Sequence, residues 1–222
     1  MAVRTALVSG SARGLGREIA GQLKDLDYDV ISTSRVLADA QEAAQGARAI
    51  ALDTTDSASN RAVFAGLARL DVLVVNAGIT GVRHTNASNA DLQDARAVME
   101  TNLFGSWQLA QAGLPLLRAG GHGRLVFLSS ALSQLSTMGQ ESVAYRISKT
   151  ALNALTVILA QDEAPHGVLV NAVNPGWVRT AMGGEDAPRS LAEGAAGVVW
   201  AATLPDDGPT GGLFLDGVRQ PW

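Results

Sequence analysis

The feature that most constrains this chain is an alternation of short, uninterrupted apolar runs with longer stretches of helical spacing. The runs are Ala6-Leu7-Val8, Val30-Ile31, Ala49-Ile50-Ala51-Leu52, Val72-Leu73-Val74-Val75, Leu125-Val126-Phe127-Leu128, Val168-Leu169-Val170 and Leu213-Phe214-Leu215. Helical stretches lie at about 17–26, 37–45, 57–69, 90–117 and 144–161. A strand with no polar alternation has to be covered on both faces, as happens in a parallel sheet with helices on either side. Seven such strands predict a doubly wound, Rossmann-like α/β fold with a seven-stranded parallel sheet. No linker, repeat or low-complexity segment interrupts the 222 residues, so 1–222 reads as a single domain. A chain of this length buries about 70% of its unfolded surface, enough for a full core.

Charge and composition narrow the function classes. The net charge is −4 and no Lys/Arg run exists, which argues against nucleic-acid and membrane-surface partners. The absence of cysteine excludes disulfides, thiolate nucleophiles and Cys-ligated metals. His84, His122 and His166 are far apart, and no metal site is expected. The first apolar run stops at Ser9-Gly10, too soon for a signal peptide. The uncharged run 101–117 contains Asn102, Gly105, Ser106, Gln108, Gln111 and Pro115, a poor membrane span. The expected location is the cytoplasm.

Directly after the first strand, and opening a helix, comes Ser9-Gly10-Ser11-Ala12-Arg13-Gly14-Leu15-Gly16. Glycines here let the backbone turn tightly and approach a pyrophosphate, which the helix N-terminus then stabilises. The spacing, G-x3-G-x-G, also serves a turn that holds no ligand. The second strand ends Ser32-Thr33-Ser34-Arg35 without an acid. Folds that bind NAD place Asp or Glu there for the ribose hydroxyl, whereas arginine accommodates the 2′-phosphate of NADP. Arg35, with Arg13 in the turn and Ser34 beside it, favours NADP, although two solvated surface arginines are the plain alternative.

Tyr145 and Lys149 are four apart at the start of a helix and so share a face. A phenol is a poor acid–base group near neutrality, and a neighbouring ammonium favours its ionised form. Taken alone, the spacing is a common helix-surface pair.

Taken together, the glycine turn, Asn76-Ala77-Gly78, Ser129-Ser130, Tyr145/Lys149 and Asn174-Pro175-Gly176, each at a strand end or on the following helix, strongly resemble the short-chain dehydrogenase/reductase family over essentially the whole chain. The segment 174–182 and the ending Gly208-Pro209-Thr210-Gly211-Gly212-Leu213-Phe214 resemble its carbonyl-reductase-like members. The resemblance implies an oxidoreductase in which Tyr145 protonates a carbonyl oxygen while hydride arrives from NADPH. It implies that Lys149 binds the nicotinamide ribose and lowers the tyrosine pKa. Ser130 would hydrogen-bond the substrate oxygen, with Ser129 and Ser133 as rivals, and Asn102 would hold a relay water. Gly10, Ser11, Arg13, Gly14, Leu15 and Gly16 would take the phosphates. Asp53 and Thr54 would lie at the adenine, and Asn76, Ala77 and Gly78 beside the adenine ribose. Pro175, Gly176, Val178 and Thr180 would hold the carboxamide. The substrate is a small-molecule ketone or aldehyde; a dedicated enone or imine reductase and a non-catalytic NADP sensor are the other readings.

This chain departs from the family pattern in three places. Phe127 stands where an asparagine is common two residues before the serine pair. Val75 stands where a second asparagine is common, and the gap from Ser130 to Tyr145 is two residues longer than in many members. Trp177 and Met182 line a substrate pocket or simply pack. Trp107, Trp200 and Trp222 read as core or interface aromatics. The helices around 101–117 and 144–161 are apolar on most faces and therefore expected to be buried on most faces, which predicts a homodimer or homotetramer.

Overall fold

The computed structural model describes residues 3–222. Its strands are β1 (Thr5–Val8), β2 (Asp29–Ser34), β3 (Arg48–Ala51), β4 (Val72–Val75), β5 (Arg124–Leu128), β6 (Leu169–Val173), β7 (Leu213–Leu215) and β8 (Val218–Gln220). The helices are α1 (Gly14–Asp25), α2 (Leu37–Ala44), α3 (Ser57–Ala65), α4 (Leu92–Met99), α5 (Ser106–Ala119), α6 (Val143–Glu163) and α7 (Leu191–Ala202). The strands form one sheet in the order β3-β2-β1-β4-β5-β6-β7-β8. Pairing is parallel from β3 through to β7. The doubly wound, Rossmann-like architecture is as expected, and the strand order reverses between β1 and β4. In such sheets ligands bind beyond the carboxyl ends of the strands at that switch point.

The central strands β1, β4, β5 and β6 are buried along their whole length, which is why their sequences lack polar alternation. One face packs Phe64, Leu109, Leu117, Leu152 and Leu159 against Leu7, Leu73 and Phe127. The other packs Ile19, Leu23, Val198 and Ala202 against Val8, Val74 and Val126. Each fully buried Leu or Phe contributes about 1.5–3 kcal/mol relative to an exposed one, so both helical layers hold the strand ends in place.

Three differences from the sequence expectations have physical causes. The described residues form eight strands: β8 runs antiparallel to β7 through Asp216 and Gly217, both at positive φ (50° and 76°), the geometry of a tight hairpin turn. The helix expected over 90–117 is interrupted by a π-helical segment, Glu100–Gly105. Helix α7 was not anticipated, although Ser190 and Glu193 form a full capping box before its apolar run. Of the aromatics expected in the core or at an interface, Trp107 is 40% exposed and Trp200 packs on Phe214 with ring centroids 5.1 Å apart. No helix among the described residues is long and apolar enough to cross a membrane.

Candidate active site

The glycine turn leaves β1 and enters α1 over Asn76. A Cβ on Gly16 would lie 2.4 Å from the Gly10 carbonyl and 2.5 Å from Asn76 Nδ2, so only glycine lets α1 start this close. Ser9 Oγ accepts the N–H groups of Asn76 (2.9 Å) and Ala77 (3.1 Å), and Asn76 Nδ2 donates to the carbonyls of Ser9 (2.8 Å) and Gly10 (3.1 Å). Asn76 Nδ2 is thus spent on the turn. Ser11 is similarly committed: Oγ donates to Val8 O (3.0 Å) and accepts Thr33 N–H (2.8 Å). Its side chain builds the turn. Helix α1 opens at Arg13 with no side-chain cap and no acid in its first turn, whereas Asp56, Asp91 and Ser190 cap α3, α4 and α7. Its first N–H groups are therefore available to an anion, which fits a dinucleotide's pyrophosphate. Leu15 reaches across to Gly194 on α7.

Beside the turn, Ser34 ends β2 and Arg35 follows it, and Arg13 and Arg35 are exposed. Neither guanidinium is ion-paired among the described residues. Asp53 Oδ1 accepts Thr55 Oγ1–H (2.7 Å) and Thr55 N–H (3.0 Å). These bonds, helped by the Arg35 charge, hold its carboxyl below the usual range despite partial burial. Thr54 is buried, and its carbonyl accepts Asn60 Nδ2–H (2.9 Å).

Tyr145 and Lys149 stand one turn apart on α6. Lys149 is 4% exposed and donates to the Leu128 carbonyl at the end of β5 (2.7 Å), with Nζ 5.7 Å from the Tyr145 ring centroid. Burial pushes its pKa down to about 8. Burial pushes the Tyr145 phenol up, against a hydrogen bond with Ser130 and the charge of Arg83. The influences drawing the phenol down thus come from Ser130 and Arg83, where the family resemblance pointed to Lys149.

The three serines differ in their surroundings. Ser129 Oγ donates to Asn153 Oδ1 (2.6 Å), Asn153 Nδ2 donates to Ser133 Oγ (2.8 Å), and Ser133 Oγ donates to Ser130 O (2.5 Å). Both rivals are locked into a buried cluster. Ser130 caps the turn Ala131–Ser133 and faces Tyr145. Asn102 lies in the π-helical segment, fully buried. Its Oδ1 accepts Ile79 N–H (2.8 Å), and its Nδ2 donates to Ile79 O (2.8 Å) and Ser148 Oγ (3.0 Å). Its amide is committed to the chain, which leaves its main chain for any water.

After β6 the segment 174–190 folds back on itself. Asn174 Oδ1 accepts Gly176 N–H (2.9 Å), and Val178 is buried against Gly194. Thr180 Oγ1 accepts Gly183 N–H (2.8 Å). Trp177 and Met182 are 56% and 38% exposed, and the indole N–H is bonded to Gly183 O (2.7 Å). The segment is clamped by Arg189, which the sequence reading missed. Val178 and Arg189 form a bridge. The Arg189 guanidinium forks onto Asp216 (2.7 and 2.8 Å) and donates to Glu193 O (2.8 Å). Its stem lies against Gly176, where φ is +77° and a Cβ would come within 2.5 Å of Arg189 Cδ. Gly176 and Val178 are held by this clamp.

Comparison with known proteins decides the family. The short chain dehydrogenase family model matches residues 4–190. The chain belongs to the short-chain dehydrogenase family. This dehydrogenase is 32% identical to carbonyl reductase (NADPH) 1 of Oryctolagus cuniculus, over 99% of its own length and 98% of the relative's. Its structure superposes on carbonyl reductase Sniffer of D. melanogaster with a TM-score of 0.89, 26% identity and full coverage of both chains. The NADPH-bound carbonyl reductase from chicken fatty liver gives 0.87 and 29%, again over both full chains. Short-chain dehydrogenases are nicotinamide-dependent oxidoreductases, and among its relatives this one lies near carbonyl reductases.

Sequence reasoning missed Asn153, Arg83, Arg189 and Asp216. Asn153 was within reach, since it continues the four-residue spacing of Tyr145 and Lys149 along the same helix. The other three lie on loops and turns, with no periodicity to reveal them.

Proposed function

We propose that this dehydrogenase reduces a ketone or aldehyde to an alcohol at the expense of NADPH. The observation that carries the reading is the convergence of Ser130, Tyr145 and Lys149 beyond β5, with Ser129 and Ser133 withdrawn into the Asn153 cluster. When bound, the reduced cofactor supplies hydride to the carbonyl carbon. Tyr145 delivers the proton to the carbonyl oxygen, and Ser130 donates a hydrogen bond to the same oxygen. A phenol kept protonated by burial suits the donor role in the reducing direction. Lys149 holds the nicotinamide ribose, and the main chain at Asn102 holds the water that returns a proton. The uncapped start of α1, with Gly10, Ser11, Arg13, Gly14, Leu15 and Gly16, takes the pyrophosphate. Arg35, Arg13 and Ser34 take the 2′-phosphate. Asp53 and Thr54 meet the adenine, Asn76, Ala77 and Gly78 the adenosine ribose, and Pro175, Gly176, Val178 and Thr180 the carboxamide.

The test is loss of reduced-nicotinamide absorbance with a panel of ketones and aldehydes, run with NADPH and NADH in parallel. Turnover with a preference for NADPH is expected. Tight NADPH binding with no turnover of any carbonyl favours a cofactor-sensing regulator, and a preference for NADH removes the assignment of Arg35.

The same reading includes self-association. Phe104, Trp107, Ile147 and Ile158 are 44%, 40%, 54% and 56% exposed on and beside α5 and α6. A groove of about 360 Å³ between these helices is lined by Trp107, Leu114, Leu155 and Ile158. A second copy of the chain covers this face, as a homodimer or within a homotetramer. Light scattering on the wild type and on Ile158→Arg checks it: an oligomer that the charge disperses is expected.

A further inference from the structure

Arg83 lies between β4 and α4, where three contacts gather the chain around the reacting groups. Val82 N–H donates to Asp94 Oδ2 (3.0 Å) in the first turn of α4. The Arg83 carbonyl accepts Ser142 N–H (2.6 Å), three residues before Tyr145. The guanidinium Nη2 donates to the Met182 carbonyl on the segment after β6. One residue therefore joins the β4–α4 loop, the start of the tyrosine helix and the stretch beyond the carboxamide loop.

The guanidinium is within electrostatic reach of the Tyr145 hydroxyl. Among the described residues it has no carboxylate partner, although Arg69, Arg118, Arg124 and Arg189 each have one. Glu141, next to Ser142 in the chain, is directed at His84 (3.3 Å), and its carbonyl takes the Arg146 side chain (3.0 Å). A guanidinium has five N–H donors in a planar fork. Holding Met182 uses one, so the rest of the fork is presented to solvent at the mouth of the site.

We propose that Arg83 is a specificity residue that selects carbonyl substrates bearing a carboxylate, pairing with that group at the mouth while the carbonyl oxygen lies at Ser130 and Tyr145. The proposal rests on the carbonyl-reductase reading of the site and adds the chemistry of the substrate's far end. A fork-to-carboxylate contact adds charge and geometry together, so loss of one charged hydrogen bond weakens recognition about 10- to 100-fold.

The experiment uses two matched pairs, benzoylformate with its methyl ester and levulinate with its methyl ester. For each pair the ratio of kcat/KM, acid over ester, is measured with NADPH in wild type, Arg83→Gln and Arg83→Lys. The acid-over-ester ratio is expected to fall about 10- to 100-fold in Arg83→Gln, to be partly kept in Arg83→Lys, and to shrink with added salt in the wild type. Calorimetric titration of the same acids and esters into the NADP-loaded protein reads the contact without turnover. Acid binding that is preferred in the wild type and lost in Arg83→Gln upholds the role of Arg83 even if neither compound is reduced, the result that would sink the reductase reading alone. An acid-over-ester ratio, or acid affinity, that is the same in wild type and Arg83→Gln overturns the proposal even if both esters are good substrates.

Discussion

The two ends of the sheet use the same residue types to opposite purposes. At the amino ends of the strands, Asp71 is fully buried; it accepts Thr5 N–H (2.8 Å) and a two-pronged contact from Arg69 (both 2.7 Å). Burial pushes its carboxyl up, but Arg69, the Thr5 amide and the charge of Arg4 more than offset this and hold it below the usual range. Arg124, also fully buried, donates to Leu204 O (2.7 and 2.9 Å), Gly123 O (3.0 Å) and Asp206 (2.7 Å). At the carboxyl ends, Lys149 is buried with a carbonyl as its hydrogen-bond acceptor, and Arg13, Arg35 and Arg83 are in no ion pair among the described residues. One end spends its charges on the fold. Apart from the Arg189–Asp216 clamp, the other leaves its cations unpaired and forgoes the stability that pairing would give.

If that division is right, changes at the two ends should have separable effects. The largest is expected from Tyr145→Phe, which should cut kcat about 10²- to 10⁴-fold while Tm stays within a few degrees of wild type. More than a tenth of the wild-type rate in a steady-state assay would remove Tyr145 as the acid. At the other end, Arg124→Met leaves the Leu204 and Gly123 carbonyls short of a donor in a buried place. It should cost about 2–4 kcal/mol in urea denaturation, with kcat per folded molecule unchanged. A loss of activity in the folded variant would show that the ends are coupled.

Smaller effects sharpen the comparison further. Arg35→Ala should lower the ratio of kcat/KM for NADPH over NADH by roughly 10- to 100-fold, with little change in Tm; an unchanged ratio would pass the phosphate to Arg13 or Ser34. Lys149→Met should weaken cofactor binding and slow turnover, yet stabilise the protein below pH 8. The pKa of Lys149 is about 8 in the folded chain against the ordinary lysine value of 10.5. Between those values the unfolded chain binds the extra proton, so wild-type stability rises with pH across that window. Below pH 8 the buried charge is a standing cost of about 1–3 kcal/mol once the lost bond to Leu128 is counted. The advantage of Lys149→Met in denaturant midpoints should be full at pH 7 and shrink toward pH 10. A gap that does not change with pH would mean that Lys149 is not a strained cation.

The parts legible in the sequence are those set by periodicity. Val72 to Val75 and Leu125 to Leu128 announce strands covered on both faces, and the tyrosine–lysine spacing places both groups on one helix face. Two features were also written locally but not read: Asp216-Gly217, a hairpin dipeptide, and Ser190 with Glu193, a capping box. The distribution of roles among like residues was not legible. Ser129, Ser130 and Ser133 differ only in which of them meets Asn153, and that depends on α6 packing against the end of β5. Which face of α5 and α6 is left exposed at Trp107 and Ile158 was not legible, because an apolar helix face has the same composition whether it meets the core or another surface. The Arg189 clamp joins two segments that only the finished sheet brings together.

That clamp ties the site to the one local pairing in the sheet. Every parallel pair needs a crossover to close its loop, whereas β7 and β8 are joined by a two-residue turn, and closing a short loop is fast. Asp216, the carboxylate that Arg189 grips, is a residue of this turn. During folding the Arg189–Asp216 contact therefore cannot hold residues 176–180 until the hairpin has formed. In the native state, fraying at this edge of the sheet would release them again. The hydrogen-exchange protection of β8 and that of residues 176–180 should rise and fall together, as a single opening unit.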